Sequence, residues 1–413
     1  MKGRSQTCLF GAAMVIIAAL LASCGGGGGG GGAGGGTSTS ASTTLDYVGT
    51  QTAGDFWTWS VTTASNGAET FTATNEHTNY TYSGTAAALA GTATGFTKLT
   101  YTASSDPGVA VGTTAYEIEI PGTVVMAVPG PFTQLNNGDN NLYFGSNNPP
   151  VMAIAQGTCP ITSDSFNWVL VPPAGWCSGD DPTQGAACPN GTSIGPAYGT
   201  AQITVSGGSY GMAVQPYLLS GTSQASFTMT GATCSDGVIS GVDSLGRTLN
   251  VAFTPSGLFF IDLPRGQGSM VGADASTSVN FTDFLQNGRT FAGWNFLSVR
   301  DLVSGGSPYS APVAAPVEAT ANGTAINGTS FTDLDNGTLV QGAGTGATLN
   351  MVSQPSPGLV KYTAAMSDGS HDGVFVVKQI GGKYYFFSVT DHWDNSGVDE
   401  MAGENIFGIE TSQ

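Results

Sequence analysis

The sequence predicts an all-β protein of two or three antiparallel domains, each an up-and-down barrel or a sandwich. Three observations carry this. Short runs such as Phe56-Trp57-Thr58-Trp59-Ser60-Val61, Glu69–Thr74, Tyr80–Ser83 and Thr97–Thr102 alternate apolar residues with Thr or Ser, the pattern of a strand with one face on a core. Turn residues separate the runs: Gly occurs 62 times and Pro 20 times in 413 positions, and Asn66-Gly67, Asp236-Gly237, Asn327-Gly328 and Asn336-Gly337 are hairpin signals. Helical periodicity is scarce, and Thr282–Gln286 offers a single turn at most. Regularly spaced strands without intervening helices favour closed or stacked antiparallel sheets.

Taken in chain order, the first element is an export signal. Lys2 and Arg4 precede the apolar run Leu9–Leu20, which is too short to span a bilayer but suits a secretory signal peptide. The run ends in Leu21-Ala22-Ser23-Cys24, which resembles the lipobox of bacterial lipoproteins. That resemblance implies removal of residues 1–23 and transfer of a diacylglycerol to the Cys24 thiol, so that acyl chains hold the protein in a lipid bilayer. The residue after the cysteine is Gly25, not the aspartate that retains such proteins at the inner membrane, which implies the outer membrane. Residues 25–36 are glycine with one alanine, and a Thr/Ser run follows. With no apolar side chains to bury, residues 24–44 read as a flexible tether with a reach on the order of 25 Å.

The body divides at composition shifts into a β domain over 45–220, a second over 221–307, a Pro/Ala-rich linker over 308–320 and a third β domain over 321–413. Asp236-Gly237 through Pro255-Ser256 aligns without gaps to Asn336-Gly337 through Pro355-Ser356, matching Thr248-Leu249-Asn250 to Thr348-Leu349-Asn350. This suggests that the last two domains are repeats of one unit.

Charge and cysteine content narrow the function. Ten basic side chains stand against 28 acidic ones, a net charge of −18, which excludes neutralising a nucleic-acid backbone. With Cys8 removed and Cys24 lipidated, Cys159, Cys177, Cys188 and Cys234 remain in an oxidising compartment, where three pairings are open. A 177–188 bridge would staple a turn with little core of its own, so 177–188 with 159–234 is the favoured set. The close C-x-x-C pairs of a zinc site are missing.

Candidate chemistry is sparse. Gly207-Gly208-Ser209-Tyr210-Gly211 matches G-x-S-x-G but sits between two strand-like runs, as a hairpin turn would. His77, His371 and His392 lack metal-ligand spacing. The segment from Asp391 to Glu400 concentrates oxygen donors in Asp391, Asp394, Asp399 and Glu400 beside His392 and Trp393. It is the candidate Ca²⁺ or glycan site, against the plainer reading of a solvated acidic loop. Asp333-Leu334-Asp335-Asn336-Gly337 reads as a turn, not a calcium loop. Glu117 and Glu119 share one strand face, which could serve glycoside hydrolysis but is better explained as a water-facing surface. Trp57, Trp59 and Val61 also share a face, read as a core stripe in preference to an exposed sugar platform. Gly54-Asp55-Phe56-Trp57 departs by one residue from the G-x-W pattern of lipocalins, so no site is carried over. The expected function is a non-catalytic, outer-membrane-anchored module that binds a small ligand or glycan. A structural or adhesive surface protein is the alternative, and a secreted hydrolase ranks third.

Overall fold

The computed structural model describes residues 41–89, 96–136, 142–146, 148–173, 197–276, 278–302, 313–333, 339–365, 369–390 and 399–412. It is all-β, as the alternation predicts. Strands β1 (Thr43–Gln51), β2 (Asp55–Thr63), β3 (Glu69–Asn75), β4 (Tyr80–Ala88), β5 (Thr97–Ser104), β6 (Thr114–Ile120) and β7 (Val124–Pro129) follow one another antiparallel. A hairpin, β8 (Phe132–Asn136) and β9 (Leu142–Ser146), then leaves the sheet before β10 (Val151–Ala155) returns to pair with β7 and β1 and close the first barrel.

In the second barrel the described strands pair in chain order, and the first and last close it. It comprises β11 (Asp164–Val171), β12 (Tyr198–Ser206), β13 (Ser209–Tyr217), β14 (Phe227–Ser235), β15 (Val238–Val242), β16 (Thr248–Phe253), β17 (Leu258–Asp262) and β18 (Ser269–Asp274). A one-turn helix, α1 (Phe281–Phe284), falls where the sequence allowed a single turn. The third barrel contains β19 (Thr290–Leu302), β20 (Val313–Asn322), β21 (Ala325–Asp333), β22 (Leu339–Ser356), β23 (Leu359–Ala365), β24 (Ser370–Ile380), β25 (Lys383–Thr390) and β26 (Asp399–Glu410), and β19 pairs with both β20 and β26.

These boundaries correct the expected division. The 220/221 break falls between β13 and β14, paired neighbours in one barrel. The stretch read as a linker contributes β20 from Val313 onward, because its alanines and valines are small and apolar enough to serve as a buried strand despite Pro316. The segments aligned in the sequence do not hold equivalent places in their barrels. Asp236-Gly237 joins the fourth and fifth strands of barrel two, whereas Asn336-Gly337 lies outside the described residues, between the third and fourth strands of barrel three. Asn327-Gly328 is inside β21 and makes no turn. By contrast, Asp236 and Gly237 both take positive φ, as a tight hairpin requires.

Strand pattern explains how the barrels associate. Strands that alternate face a barrel interior on one side and water on the other. Others are apolar on both faces: in β7, Val125 and Ala127 fill barrel one while Val124, Met126 and Val128 point outward into a second cluster. That cluster is shared with Val169, Phe260 and Val271 of barrel two and Trp294, Val376 and Phe387 of barrel three. Burial of both faces draws the three barrels onto one seam. Polar contacts fix the register along it: Asn167 Nδ2 donates to Pro357 O at 2.6 Å, and Lys378 Nζ pairs with Asp274 at 2.6 Å. The β8–β9 hairpin reaches from barrel one to the β20 edge, with Ser146 opposite Ala314.

Barrels one and two also meet turn to turn. Gly266 N donates to Ala53 O at 2.7 Å, and Gly54, at φ +78°, lies between them. A Cβ there would stand 2.6 Å from Pro264 O and 2.7 Å from Leu263 O. Gly54→Ala is therefore expected to cost about 2 kcal/mol or more, read as a lowered urea midpoint.

Candidate ligand-binding site

The three barrels are filled differently. Barrel two is occupied by Phe166, Trp168, Met212, Met229, Leu249 and Phe259. In barrel three, α1 enters one end as a plug. Asn280 caps it by accepting from Asp283 N, and Phe284 inserts among Phe291, Phe375, Tyr384 and Phe386 at ring distances of 5.3–5.8 Å.

Barrel one holds a cavity of about 250 Å³ at the end where β1 turns into β2. Its wall is aromatic: Trp57 and Trp59 from β2, Tyr80 and Tyr82 from β4, and Tyr101 from β5. Strand periodicity puts Trp57 and Trp59 on the inward face, and hairpin register sets them against their neighbours. Trp57 stacks on Tyr82 at 5.4 Å and Trp59 on Phe71 at 5.5 Å, while Tyr82 lies 5.9 Å from Tyr101. Gly84 makes this possible, because a Cβ at that position would come within 2.5 Å of the Phe71 ring. The two tryptophans thus form the expected core stripe and, at the same time, a cavity wall. Their indole N–H groups are buried without a protein acceptor.

Polar groups converge on the mouth. Asp55 Oδ2 accepts from Asn75 Nδ2 at 2.9 Å, while its buried Oδ1 accepts no hydrogen bond and lies 3.7 Å from Arg265 Nε. Arg265 comes from the β17–β18 turn, so barrel two completes the rim of barrel one. Asp106 accepts from Tyr82 Oη at 2.9 Å and from Gly108 N at 2.8 Å. Burial, and then the Asp106 bond, push the Tyr82 hydroxyl well above the usual tyrosine range, so it stays a neutral donor.

Glu117 and Glu119 do not lie on a water-facing surface. Alternation in β6 turns both into the barrel, and Glu117 is 1% exposed. Burial first, then the neighbouring Glu119 and Glu69 charges, hold the Glu117 carboxyl well above the ordinary glutamate range. Glu119 accepts from Tyr47 Oη at 2.5 Å, and burial raises it as well. These carboxyls occupy the end of the barrel opposite the mouth, where Glu69, Glu119 and the start of β1 meet.

Cys159 and Cys234 form a disulfide, whereas Cys177 and Cys188 lie outside the described residues, as does Cys24. Of the acidic segment, Asp391 and Asp394 are outside them too, while Asp399 and Glu400 open β26 opposite Leu302 and Asp301. Among the described residues no group of three His, Cys, Asp or Glu side chains is placed to hold a metal ion. Ser209 begins β13 after a turn in which Gly207 and Gly208 both have positive φ, the hairpin expected of that motif. His77 is exposed in the β3–β4 turn and His371 is buried in β24.

No sequence motif marks Asp55, Asn75, Asp106 and Arg265 as a site. The available signal was parity: Asp55 and Asn75 are polar residues at inward positions of β2 and β3, in series with Trp57 and Ala73. No family model matches the chain, and no curated protein is significantly similar to it.

Proposed function

We propose that this chain is a bacterial outer-membrane lipoprotein that binds a small ligand, without catalysis, in the mouth of its first barrel. The observation that carries this reading is the aromatic cavity with Asp55, Asn75, Asp106 and Arg265 at its rim, set beside two barrels whose described interior side chains pack against one another. Concave, mostly apolar sites with a few convergent polar groups are the usual form of small-molecule binding. Since β1 begins at the opposite end of the barrel, a tether upstream of Thr43 attaches away from the opening. The 28 acidic side chains oppose close approach to an anionic membrane surface.

Two measurements test the reading. Cys24→Ser is expected to move the protein from the membrane to the soluble fraction; continued membrane partitioning would remove the anchor. For the site, native mass spectrometry after incubation with low-molecular-mass envelope extract should show an added mass. Val109→Trp, which narrows the mouth at a half-buried loop position, should abolish it.

A further inference from the structure

The chemistry of the cavity wall goes further than its shape. Five aromatic rings line it, two of them, Trp57 and Tyr82, stacked on each other, and the quadrupole of an aromatic ring attracts positive charge. Two carboxylates, Asp55 and Asp106, stand at the rim, and one oxygen of Asp55 is buried with no hydrogen bond to saturate it. The opposing charge is Arg265 alone among the described lining residues. Its side chain is 55% exposed and forms a 3.7 Å ion pair with Asp55 Oδ1, longer than a hydrogen bond. Deeper in the barrel the carboxyl groups are Glu69, Glu117 and Glu119, and strand alternation turns no described Lys, Arg or His inward.

An anionic ligand would meet carboxylates and π faces together. A neutral sugar would stack but bring no positive charge to Asp106, the rim carboxylate that Arg265 does not pair with. A compact organic cation satisfies both features, and a volume of about 250 Å³ accommodates an ammonium group carried on a small skeleton.

Building on the ligand-binding reading above, we infer that the first barrel selects a small organic cation, held by its ammonium group among Trp57, Tyr82 and Tyr101 beneath Asp55 and Asp106. The ammonium sits in an aromatic cage at the mouth of the barrel.

Isothermal titration calorimetry on the purified chain tests this with tetramethylammonium, choline and glucosamine against glucose, N-acetylglucosamine and decanoate. At least one ammonium compound is expected to bind saturably, with Trp57→Leu and Asp106→Asn each weakening it about tenfold. Thermal melts confirm that both variants are folded. Binding of only the neutral or anionic compounds would overturn the cation assignment and leave the ligand-binding reading standing. Ammonium binding that both folded variants retain undiminished would overturn the placement in the cage. Silence from all six compounds would overturn the cation assignment; it would overturn the ligand-binding reading too only if the extract experiment also showed no added mass.

Discussion

Asp262→Asn is expected to flatten a loss of stability that the native protein suffers as pH rises from about 4 to about 7. Asp262 ends β17 on the outer face of barrel two, in the seam against barrel one. It is 6% exposed, and burial raises its carboxyl from 3.8 to about 7, outweighing the hydrogen bonds from Thr50 and Asn250 that lower it, with the Asp55 charge adding to the rise. Below pH 4 the group is protonated in both folded and unfolded chains and makes no difference. Between 4 and 7 the folded protein keeps a proton that the unfolded chain releases, so stability falls as pH increases. Above 7 the whole cost is present, roughly 4 kcal/mol for a rise of that size. An asparagine at the same place still accepts from Thr50 but brings an amide N–H₂ that needs an acceptor, at a cost of about 1–3 kcal/mol. The net gain at pH 8 is therefore about 2 kcal/mol, and the larger effect is in the slope. Glu117 and Glu119 are raised as well and contribute slopes of their own, so the quantity to plot is variant minus native across pH 4–8 by urea denaturation. A difference that stays constant across that range would show that Asp262 is ionised throughout, with Thr50 and Asn250 compensating for its burial.

That buried carboxylate shows where sequence reading stops. Parity along a strand is a local property, so the inward placement of Trp57, Trp59 and Val61 was legible, as was the hairpin at Asp236-Gly237. Strands such as Val124–Val128 and Leu258–Ile261 are continuously apolar, which marks both faces as covered but cannot say by what. The covering surface comes from two other barrels, and no local pattern encodes the match. The same limit hid the domain boundaries: Pro and Ala at 308–320 carry linker composition, yet from Val313 onward the chain is held by β19 over eight paired residues. Alternation puts Glu117 and Glu119 on one face but does not say that this face is the inward one, because it fixes relative orientation alone. The cavity was least legible of all. Two tryptophans at inward positions fill a packed barrel as readily as they line a hollow one, and the rim joins Asp55 to Arg265 across 210 residues and two barrels.

Removing the disulfide is expected to cost as much as any other single change in the chain. Cys159 lies in the segment between β10 and β11, and Cys234 lies near the end of β14, 75 residues away in sequence. Both sulfurs pack against the interior cluster of barrel two. The segment folds over that end of the barrel: Tyr210 Oη donates to Pro160 O at 3.2 Å, Gln156 Nε2 donates to Asp236 O at 3.1 Å, and a Cβ on Gly237 would collide with Gly157 O at 2.4 Å. The bridge therefore pins a lid on a barrel end as well as closing a long loop. Loop-closure entropy for a crosslink of this span gives roughly 4 kcal/mol, acting through the unfolded chain. The hydrogen bonds of the lid contribute separately, at about 1 kcal/mol each, and they depend on the bridge only if the segment detaches without it. The double variant Cys159→Ala/Cys234→Ala separates these effects. If chain entropy dominates, the urea midpoint falls by the equivalent of about 4 kcal/mol, while amide exchange at Cys159–Ser165 and in the β12–β13 turn stays protected up to the new global limit. If the lid opens, those amides exchange early, and the exposed ends of Phe166 and Tyr210 leave barrel two as the first part of the molecule to unfold. A loss of less than about 1 kcal/mol with full protection would mean that the lid holds by packing alone and that the crosslink adds nothing to it.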